Sequence, residues 1–236
     1  MNKGKLYLIP AIIADNTHLE VIAPHVYKAL GSIHHFLVED IRTARRYLSS
    51  LKIYESIELL DFQLLNKDTV HADLKTRIDP IFRGLNVGIV SEAGCPGVAD
   101  PGALAVKFAH ENDIQVVPLV GPSSILLALM ASGLNGQRFA FHGYLPIDGK
   151  ECAKVIHDLE KESKQKNQTQ IFIETPYRNN HLKELLFKNL KNETLLSIAQ
   201  DITGVYENIK TLPVIKWKAT DFDMPKVPAV FMFLSV

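Results

Sequence analysis

In the segment Val87-Gly-Ile-Val-Ser-Glu-Ala-Gly-Cys-Pro-Gly-Val-Ala-Asp-Pro-Gly102, an apolar run leads directly into a loop with three glycines and two prolines. A helical pattern follows at 103–111. A strand that ends in a rigid loop with few Cβ atoms leaves backbone groups open to a ligand at the carboxyl end of the strand. The stretch therefore predicts an α/β fold with a small-molecule site in the 91–102 loop.

Short apolar segments alternate with amphipathic stretches along the chain, an order typical of βαβ units in a parallel sheet. The predicted strands of the first half are 5–11, 36–38, 87–90 and 115–120, and the predicted helices are 17–31, 42–51, 73–83, 103–111 and 123–131. The second half repeats the alternation, with apolar segments at 139–144, 170–174, 195–199 and 227–236 and helices at 152–164 and 177–190. We expect a boundary near 118–121 and two α/β domains, residues 1–118 and 119–236.

The composition is that of a globular protein. Hydrophobic residues make up 47% and charged residues 22% of the 236 residues, which argues against disordered and fibrous classes. The 26 basic and 26 acidic side chains balance, so any polyanion partner must meet a local patch. With two cysteines, no secretory signal pattern and no apolar run of membrane-spanning length, the sequence predicts a cytoplasmic protein that binds neither membrane nor DNA.

The 91–102 loop lacks the features of a phosphate site. A P-loop needs a lysine followed by serine or threonine, a dinucleotide fold needs G-x-G-x-x-G, and neither pattern is present. The loop is weakly charged, with Asp100 before Pro101, so it suits an uncharged or zwitterionic ligand. An ordinary tight connection between strand and helix is the alternative. His34 and His35 are adjacent and point apart on a strand, so we predict no metal site.

A second predicted strand ends in Gly121-Pro122 and continues as a helix after Ser123 and Ser124. Either serine can cap that helix. The amino end of the helix also offers free N–H groups and a hydroxyl to a carboxylate or a ribose. Two such loops on neighbouring strands predict a shared pocket.

Charged residues follow two further predicted strands. Glu39 and Asp40 precede Arg42, and arginines at 42, 45 and 46 have the i, i+3, i+4 spacing that predicts a basic patch on one helix face. This patch is either a solvated helix face or a group that orients a substrate. Glu174 ends an apolar strand before a proline, where it either pairs with Arg178 or serves as a base or orienting acid in a cleft.

Six segments follow one known pattern in one order. They are Glu39-Asp-Ile-Arg42, the 91–102 loop, 117–124, Ala131-Ser-Gly-Leu134, Gly143-Tyr-Leu-Pro146 and Phe172-Ile-Glu-Thr-Pro-Tyr-Arg178. In these segments, which cover about residues 36 to 180, the chain resembles the tetrapyrrole methylase superfamily of S-adenosylmethionine-dependent methyltransferases. The resemblance is strongest to the branch that methylates a ribose 2′-hydroxyl of small-subunit ribosomal RNA, which reads E-D-T-R, S-D-A-G-T-P-x-x-S-D-P-G, V-P-x-P-G-P-S-A, A-S-G-L, G-F-L-P and F-Y-E-S-P-H-R.

The resemblance implies a class III methyltransferase fold of two α/β domains, with S-adenosylmethionine in the cleft between them, in a homodimer that acts on ribosomal RNA or the small ribosomal subunit. The cofactor residues that it implies are Gly94, Cys95, Val98, Asp100, Ser123, Ser124, Ile173, Pro228 and Ala229. S-adenosylmethionine has an amino-acid end, a ribose and an adenine. It therefore needs backbone groups, hydroxyls and an apolar slot, without a phosphate clamp.

The departures from the branch concern the substrate. The branch opens with T-P-I-G-N-L, whereas this chain reads Ile9-Pro-Ala-Ile-Ile-Ala14 and keeps Pro10 without the Gly-Asn pair. Later the branch reads R-E-L-T-K-x-x-E, and here Gln200 and Gly204 replace the arginine and the lysine, which weakens the attraction to RNA. Methylation of RNA ribose, methylation of a tetrapyrrole or another small molecule, and a non-catalytic S-adenosylmethionine-binding module therefore stay open.

Methyl transfer is an in-line displacement at the sulfonium methyl, so positioning supplies much of the barrier reduction. A ribose hydroxyl has a high pKa and also needs a base or a polarising field. The candidate bases are Glu39, Asp40 and Glu174, and Arg42 is the candidate that orients the substrate.

Overall fold

A computed structural model describes residues 3–235, in two compact units that meet in sequence at Ser123 and Ser124. Each unit has a five-stranded sheet. Within the described residues, no helix combines the length and the apolar character that a bilayer span requires.

The first unit contains a parallel sheet with the strand order β3-β2-β4-β1-β5. Its elements are β1 (Leu6–Ile9), α1 (His18–Val21), α2 (Pro24–Leu30), β2 (His35–Val38), α3 (Ile41–Ser50), β3 (Asp61–Leu64), α4 (His71–Arg77), α5 (Asp79–Phe82), β4 (Val87–Val90), α6 (Gly102–Glu111) and β5 (Val116–Pro118). The α/β class and the parallel sheet predicted for this half are confirmed.

Side chains alternate between the two faces of this sheet, as the pleat requires. Phe36 and Val38 pack into a core with α2 and α3. Leu37, between them, packs into a second core with α4 and α6. Both faces are covered, which is the usual condition of a parallel sheet.

Prolines divide two of the predicted helices. The helix predicted at 17–31 is two helices, because the chain is extended at Ile22 and Ala23 before Pro24. The helix predicted at 73–83 also divides, with Pro80 in the first turn of α5. Strand β3 was not predicted: it is an edge strand of only four residues, most of them exposed, and the alternation of Phe62 and Leu64 is too short to stand out from the surrounding chain.

The second unit has a mixed sheet with the strand order β6-β7-β10-β8-β9. Its elements are α7 (Ser124–Ser132), β6 (Phe139–Tyr144), α8 (Gly149–Lys166), β7 (Thr169–Glu174), α9 (Asn179–Asn189), β8 (Leu195–Gln200), β9 (Asn208–Pro213), α10 (Val214–Lys218) and β10 (Ala229–Leu234). Only β6 and β7 form a parallel pair, and the other pairs are antiparallel. The sheet is mixed because β8 and β9 form a hairpin and β10 lies between β7 and β8.

Aromatic residues fill one face of the second sheet. The rings of Phe172 and Phe231 stack with centroids 6.0 Å apart, and Phe233 meets Phe172 edge to face. The buried Trp217 donates its indole N–H to the carbonyl of Leu196 at 2.8 Å, so α10 is tied to the sheet. Helix α7 covers the opposite face.

Candidate functional site

Loops of the first unit meet where its parallel strands end. Strand β4 lies between β1 and β2, and the last residues of the three strands are in register. Pro10, Glu39 and the 91–102 loop therefore leave the sheet side by side. Open α/β sheets bind ligands at this carboxyl edge.

Asp100 closes the 91–102 loop on itself. Its Oδ1 accepts hydrogen bonds from the backbone N–H groups of Gly97 at 2.8 Å and Gly102 at 2.7 Å. Gly97 and Ala99 have φ values of 85° and 62°, in the left-handed region that is costly for a residue with a Cβ. A Cβ on Gly102 would lie 2.7 Å from the same carboxylate oxygen, so glycine is required there. The carboxylate holds the loop in one shape.

The loop is also bonded to the neighbouring strand ends. The N–H of Ala11 donates to the carbonyl of Gly94 at 2.8 Å, and the N–H of Gly94 donates to the carbonyl of Ala11 at 3.2 Å. The thiol of Cys95 lies 3.2 Å from the carbonyl of Pro122. The two glycine- and proline-containing loops predicted to share a pocket therefore lie against each other. The prediction that their strands are neighbours is wrong, because β1 lies between β4 and β5.

Pro10 lies at the centre of this contact. The buried hydroxyl of Tyr47 donates to the carbonyl of Pro10 at 2.7 Å and connects α3 to the end of β1. A Cβ on Gly121 would lie 2.0 Å from the Cβ of Pro10. The backbone approach of these two segments thus depends on glycine at position 121.

Three carboxyl groups gather at this edge. Burial raises the pKa of Glu39, and the charges of Asp100 and Glu92 raise it further, although a hydrogen bond from the backbone of Glu92 acts in the other direction. Burial also raises the pKa of Asp100 against the lowering effect of its two backbone hydrogen bonds. Among the described residues, the buried Oδ2 of Asp100 has no hydrogen-bond partner. The edge is a negative site that a positively charged ligand would stabilise.

Cys95 and Val98 form the apolar part of the loop. Burial raises the pKa of the Cys95 thiol, and the charge of Asp100 adds to the effect. The thiol is therefore protonated at neutral pH and is not an activated nucleophile. The side chain of Val98 is 50% exposed, so the loop offers an apolar contact to a ligand.

Asp40 is a helix cap. Its carboxylate accepts a hydrogen bond from the N–H of Thr43 at 2.7 Å in the first turn of α3. The hydrogen bonds from Thr43 lower the pKa of Asp40, so this carboxylate is a weaker base than Glu39. Of the two adjacent acids, Glu39 is the one whose pKa is raised.

The three arginines of α3 have different surroundings. The guanidinium of Arg45 lies 5.4 Å from the ring centroid of Phe62 on β3. Arg46 instead lines a cavity on the other flank of the helix. Arg42 is exposed near the start of the helix, close in sequence to Glu39.

The cavity has a volume of about 150 Å³ and lies between the segment after β1, helix α3 and the start of the 91–102 loop. Its polar lining includes Asn16, His18, Thr43, Arg46, Ser50 and Glu92. Sequence reasoning missed this cavity, because the segment after β1 carries no motif. The signal that could have indicated it is Glu92, a second acid inside the loop already singled out.

The second unit places four predicted site residues at one end of its sheet. Ile173 and Glu174 end β7, and Ala229 begins β10 directly opposite Glu174. The carbonyl of Pro228 accepts a hydrogen bond from the N–H of Asp201 at 3.0 Å, which connects this end to the hairpin after β8.

The carboxylate of Glu174 is buried and engaged. Its Oε1 accepts a hydrogen bond from the N–H of Thr175 at 2.7 Å, and its Oε2 lies 3.1 Å from the guanidinium of Arg178. The Glu174 side chain has no exposed surface, whereas Arg178 is 27% exposed. The structure therefore contains the ion pair considered from the sequence, and Glu174 braces the turn after β7. Its role as a base stays a prediction.

Ser123 and Ser124 lie at the start of α7, and both are half-buried. Their part in a cofactor site also stays a prediction. Within residues 3–235, no three side chains of the metal-binding types are placed to hold an ion.

No family model matches the chain. The fold does match solved structures. A uroporphyrin-III-C-methyltransferase from Thermus thermophilus aligns with a TM-score of 0.57 and 18% identity, over 98% of this chain and 92% of that one. The methyltransferase CobJ aligns with a TM-score of 0.62 and 15% identity, over 99% and 100% of the two chains. The chain therefore has the α/β fold of the tetrapyrrole methylase-like, or class III, methyltransferases.

Curated relatives identify the family within that class. The ribosomal RNA small subunit methyltransferase I of Vibrio cholerae is 30% identical over 96% of this chain and 76% of its own. The proteins of the same name from Buchnera aphidicola and Halalkalibacterium halodurans are 30% and 31% identical, over 91% and 87% of this chain and 73% and 67% of theirs. The chain belongs to this methyltransferase family. The resemblance stated from the six segments is confirmed, and the protein is a methyltransferase.

Proposed function

We propose that this protein transfers a methyl group from S-adenosylmethionine to a ribose 2′-hydroxyl of small-subunit ribosomal RNA. The observation that carries the proposal is its relation to methyltransferases named for that RNA, at 30% identity over 96% of the chain. The likeness to tetrapyrrole methyltransferases concerns the fold alone and does not favour a tetrapyrrole as the methyl acceptor.

The carboxyl edge of the first sheet fits S-adenosylmethionine. This molecule carries two positive charges, on its sulfonium and its ammonium, and one carboxylate. Glu39 and Asp100 have raised pKa values in a negative site, and the Oδ2 of Asp100 lacks a hydrogen-bond partner among the described residues. A cation of this kind would stabilise both carboxylates. No lysine or arginine stands in the 91–102 loop, in agreement with a ligand without phosphate groups.

Glu39 is the base that we propose for the ribose hydroxyl. S-adenosylmethionine supplies an electrophilic methyl group when it is bound. The chain has to accept the hydroxyl proton while the ribose oxygen attacks that group, and a carboxylate with a raised pKa does this better than an ordinary one. Glu39 meets this condition, whereas Asp40 caps α3 and Glu174 is ion-paired. Arg42 is proposed to orient the RNA through a phosphate.

The remaining cofactor contacts rest on the resemblance. They are those of Gly94, Cys95, Val98, Ser123, Ser124, Ile173, Pro228 and Ala229. A homodimer and a cytoplasmic location, where ribosomal subunits are made, are also parts of the proposal. In support of self-association, α7 presents Leu126 and Met130 one turn apart, with 50% and 79% of their surfaces exposed.

A labelled-methyl assay tests the proposal. The protein is incubated with methyl-labelled S-adenosylmethionine and a cell extract, which is then separated into RNA, protein and small-molecule fractions. We expect label in the RNA of the small subunit. Label in the small-molecule fraction would instead indicate a tetrapyrrole-type substrate, and calorimetric binding of S-adenosylmethionine without turnover would indicate a binding module.

A pair of variants tests the base. Glu39→Gln should retain S-adenosylmethionine binding and lose methyl transfer by about 100-fold or more. Asp40→Asn is the matched control, because its amide oxygen can still cap α3, and it should retain transfer. If Glu39→Gln transfers methyl groups as fast as Asp40→Asn does, Glu39 is not the base.

A further inference from the structure

One end of the second sheet carries a row of exposed tyrosines. Strands β6, β7 and β8 run in the same direction and finish at this end. Tyr144 is the last residue of β6, Tyr177 lies in the turn after β7, and Tyr206 lies in the hairpin between β8 and β9. We call these three side chains the tyrosine row.

The row is more exposed than aromatic residues usually are. Tyr144 is 58% exposed, Tyr177 83% and Tyr206 77%. Ile147 and Val205, beside them in sequence, are 78% and 93% exposed. Exposed apolar groups that cluster at one place indicate a binding surface, whereas scattered ones need no explanation.

The hairpin that presents Tyr206 is built to hold one shape. Asp201 and Thr203 have φ values of 48° and 67°. The carboxylate of Asp201 accepts a hydrogen bond from the N–H of Tyr206 at 2.9 Å, and that of Glu207 accepts one from the N–H of Thr203 at 2.7 Å. Both acids of the hairpin thus bind its own backbone. The Tyr206 ring stands in solvent on a fixed turn.

Tyr177 is presented in a similar way. The N–H of Arg178 donates to the carbonyl of Thr175 at 2.9 Å, and the Glu174–Arg178 ion pair spans the same turn. The ammonium of Lys226, just before β10, lies 5.8 Å from the Tyr177 ring centroid. A cation beside an exposed ring can meet a phosphate while the ring meets a base.

We propose that the tyrosine row binds unpaired bases of the RNA substrate by stacking. This deepens the proposed function and rests on it. Proteins recognise RNA mostly through unpaired bases that stack on aromatic side chains. Neighbouring strands are about 4.8 Å apart. Strands β6 and β7 are neighbours, whereas β10 lies between β7 and β8, so Tyr144 and Tyr177 can meet adjacent bases and Tyr206 can meet a base farther along the same RNA segment. Fixed turns reduce the entropy lost on binding.

The row also gives a physical account of the two missing cations. Gln200 and Gly204 stand where the related branch has arginine and lysine. Gln200 is the last residue of β8, just before the hairpin that presents Tyr206, and Gly204 lies within that hairpin. Stacking does not depend on counterion release, so it can maintain RNA affinity where charge has been lost. The contribution of the row should therefore not vary with salt concentration.

Fluorescence anisotropy with a labelled 12-nucleotide RNA of adenosine and cytidine tests the proposal. Tyr177→Ala and Tyr206→Ala should each weaken binding by about 5- to 150-fold, the usual effect of losing one stacked base. Tyr206→Phe keeps the ring and should bind within about twofold of the unchanged protein. Phe139→Ala is the matched control, because Phe139 is a partly exposed aromatic residue at the opposite end of the same sheet. It should have no effect.

The salt dependence supplies a readout that misfolding would not produce. The slope of log affinity against log salt should stay unchanged in Tyr206→Ala and become shallower by about one in Lys226→Ala. If the RNA affinity is unchanged when both Tyr177 and Tyr206 are replaced, the proposal that the tyrosine row binds RNA is overturned.

The row and the proposed function can fail separately. If the unchanged protein methylates small-subunit RNA and the tyrosine variants bind RNA normally, only the proposed role of the tyrosine row in RNA binding is wrong. If light scattering instead shows that these substitutions dissociate a dimer, the surface binds a second copy of the protein. The proposal that the tyrosine row binds RNA is then overturned. If the unchanged protein transfers no methyl group to small-subunit RNA, the proposed function itself fails.

Discussion

Replacement of Asp100 by alanine tests how the 91–102 loop is held. The change leaves the N–H groups of Gly97 and Gly102 without their shared acceptor. Each hydrogen bond to a charged acceptor contributes about 1.5–3 kcal/mol, and relief of a partly buried carboxylate offsets part of the loss. We therefore expect the free energy of unfolding to fall by about 2–4 kcal/mol.

Urea denaturation measures this difference, with Asp100→Asn as the control. Asparagine keeps an oxygen at the Oδ1 position, so it should cost about 1 kcal/mol or less. Calorimetric titration with S-adenosylmethionine should show a larger loss of affinity for the alanine variant than for the asparagine variant, because only the alanine variant loses the shape of the loop. An alanine variant as stable as the asparagine variant would refute the idea that this carboxylate holds the turn.

Three further predictions follow from the same structure. Burial and two neighbouring acids raise the pKa of Glu39 above 4.5, so the folded state binds this proton more tightly than the unfolded state does. The free energy of unfolding should therefore fall as pH rises through the raised pKa. Urea midpoints measured from pH 4 to 8 should lack this part of the fall in Glu39→Gln. Gly121→Ala should lower the melting temperature strongly, since its Cβ would lie 2.0 Å from that of Pro10, whereas Gly136→Ala, with open space around the new Cβ, should leave it nearly unchanged. Glu174→Gln should cost about 2 kcal/mol of unfolding free energy, because it leaves a partly buried arginine unpaired. Removal of that arginine as well should recover part of the loss. A double variant less stable than the single one would contradict the idea that Glu174 stabilises the protein through this ion pair.

The first unit was predictable from the sequence because its signals are local. The run 87–90 and the glycines and prolines after it determine a strand, a tight loop and a helix without reference to distant residues. The Asp100 turn follows the same logic, since an acid two residues before Gly102 can reach the backbone of its own loop.

The features that were not predicted depend on tertiary contacts, which a local sequence pattern does not indicate. The direction of β10 between β7 and β8 is set by long-range pairing, which the alternation of apolar segments does not indicate. The contact of Arg45 with Phe62 depends on the pairing of β3 with β2, which a four-residue segment does not reveal by itself. The raised pKa of Glu39 is caused first by burial and then by the charges of Asp100 and Glu92, more than fifty positions away.

We propose above that the protein transfers a methyl group to a ribose hydroxyl at the site beside the 91–102 loop. The most direct test is nucleoside analysis of small-subunit ribosomal RNA after incubation with methyl-labelled S-adenosylmethionine. A 2′-O-methyl group blocks alkaline cleavage of the adjacent phosphodiester. We therefore expect label in an alkali-resistant dinucleotide with the unchanged protein and loss of that label with Glu39→Gln. Label on a nucleobase, or no label in RNA from a protein that binds S-adenosylmethionine, would contradict the proposal.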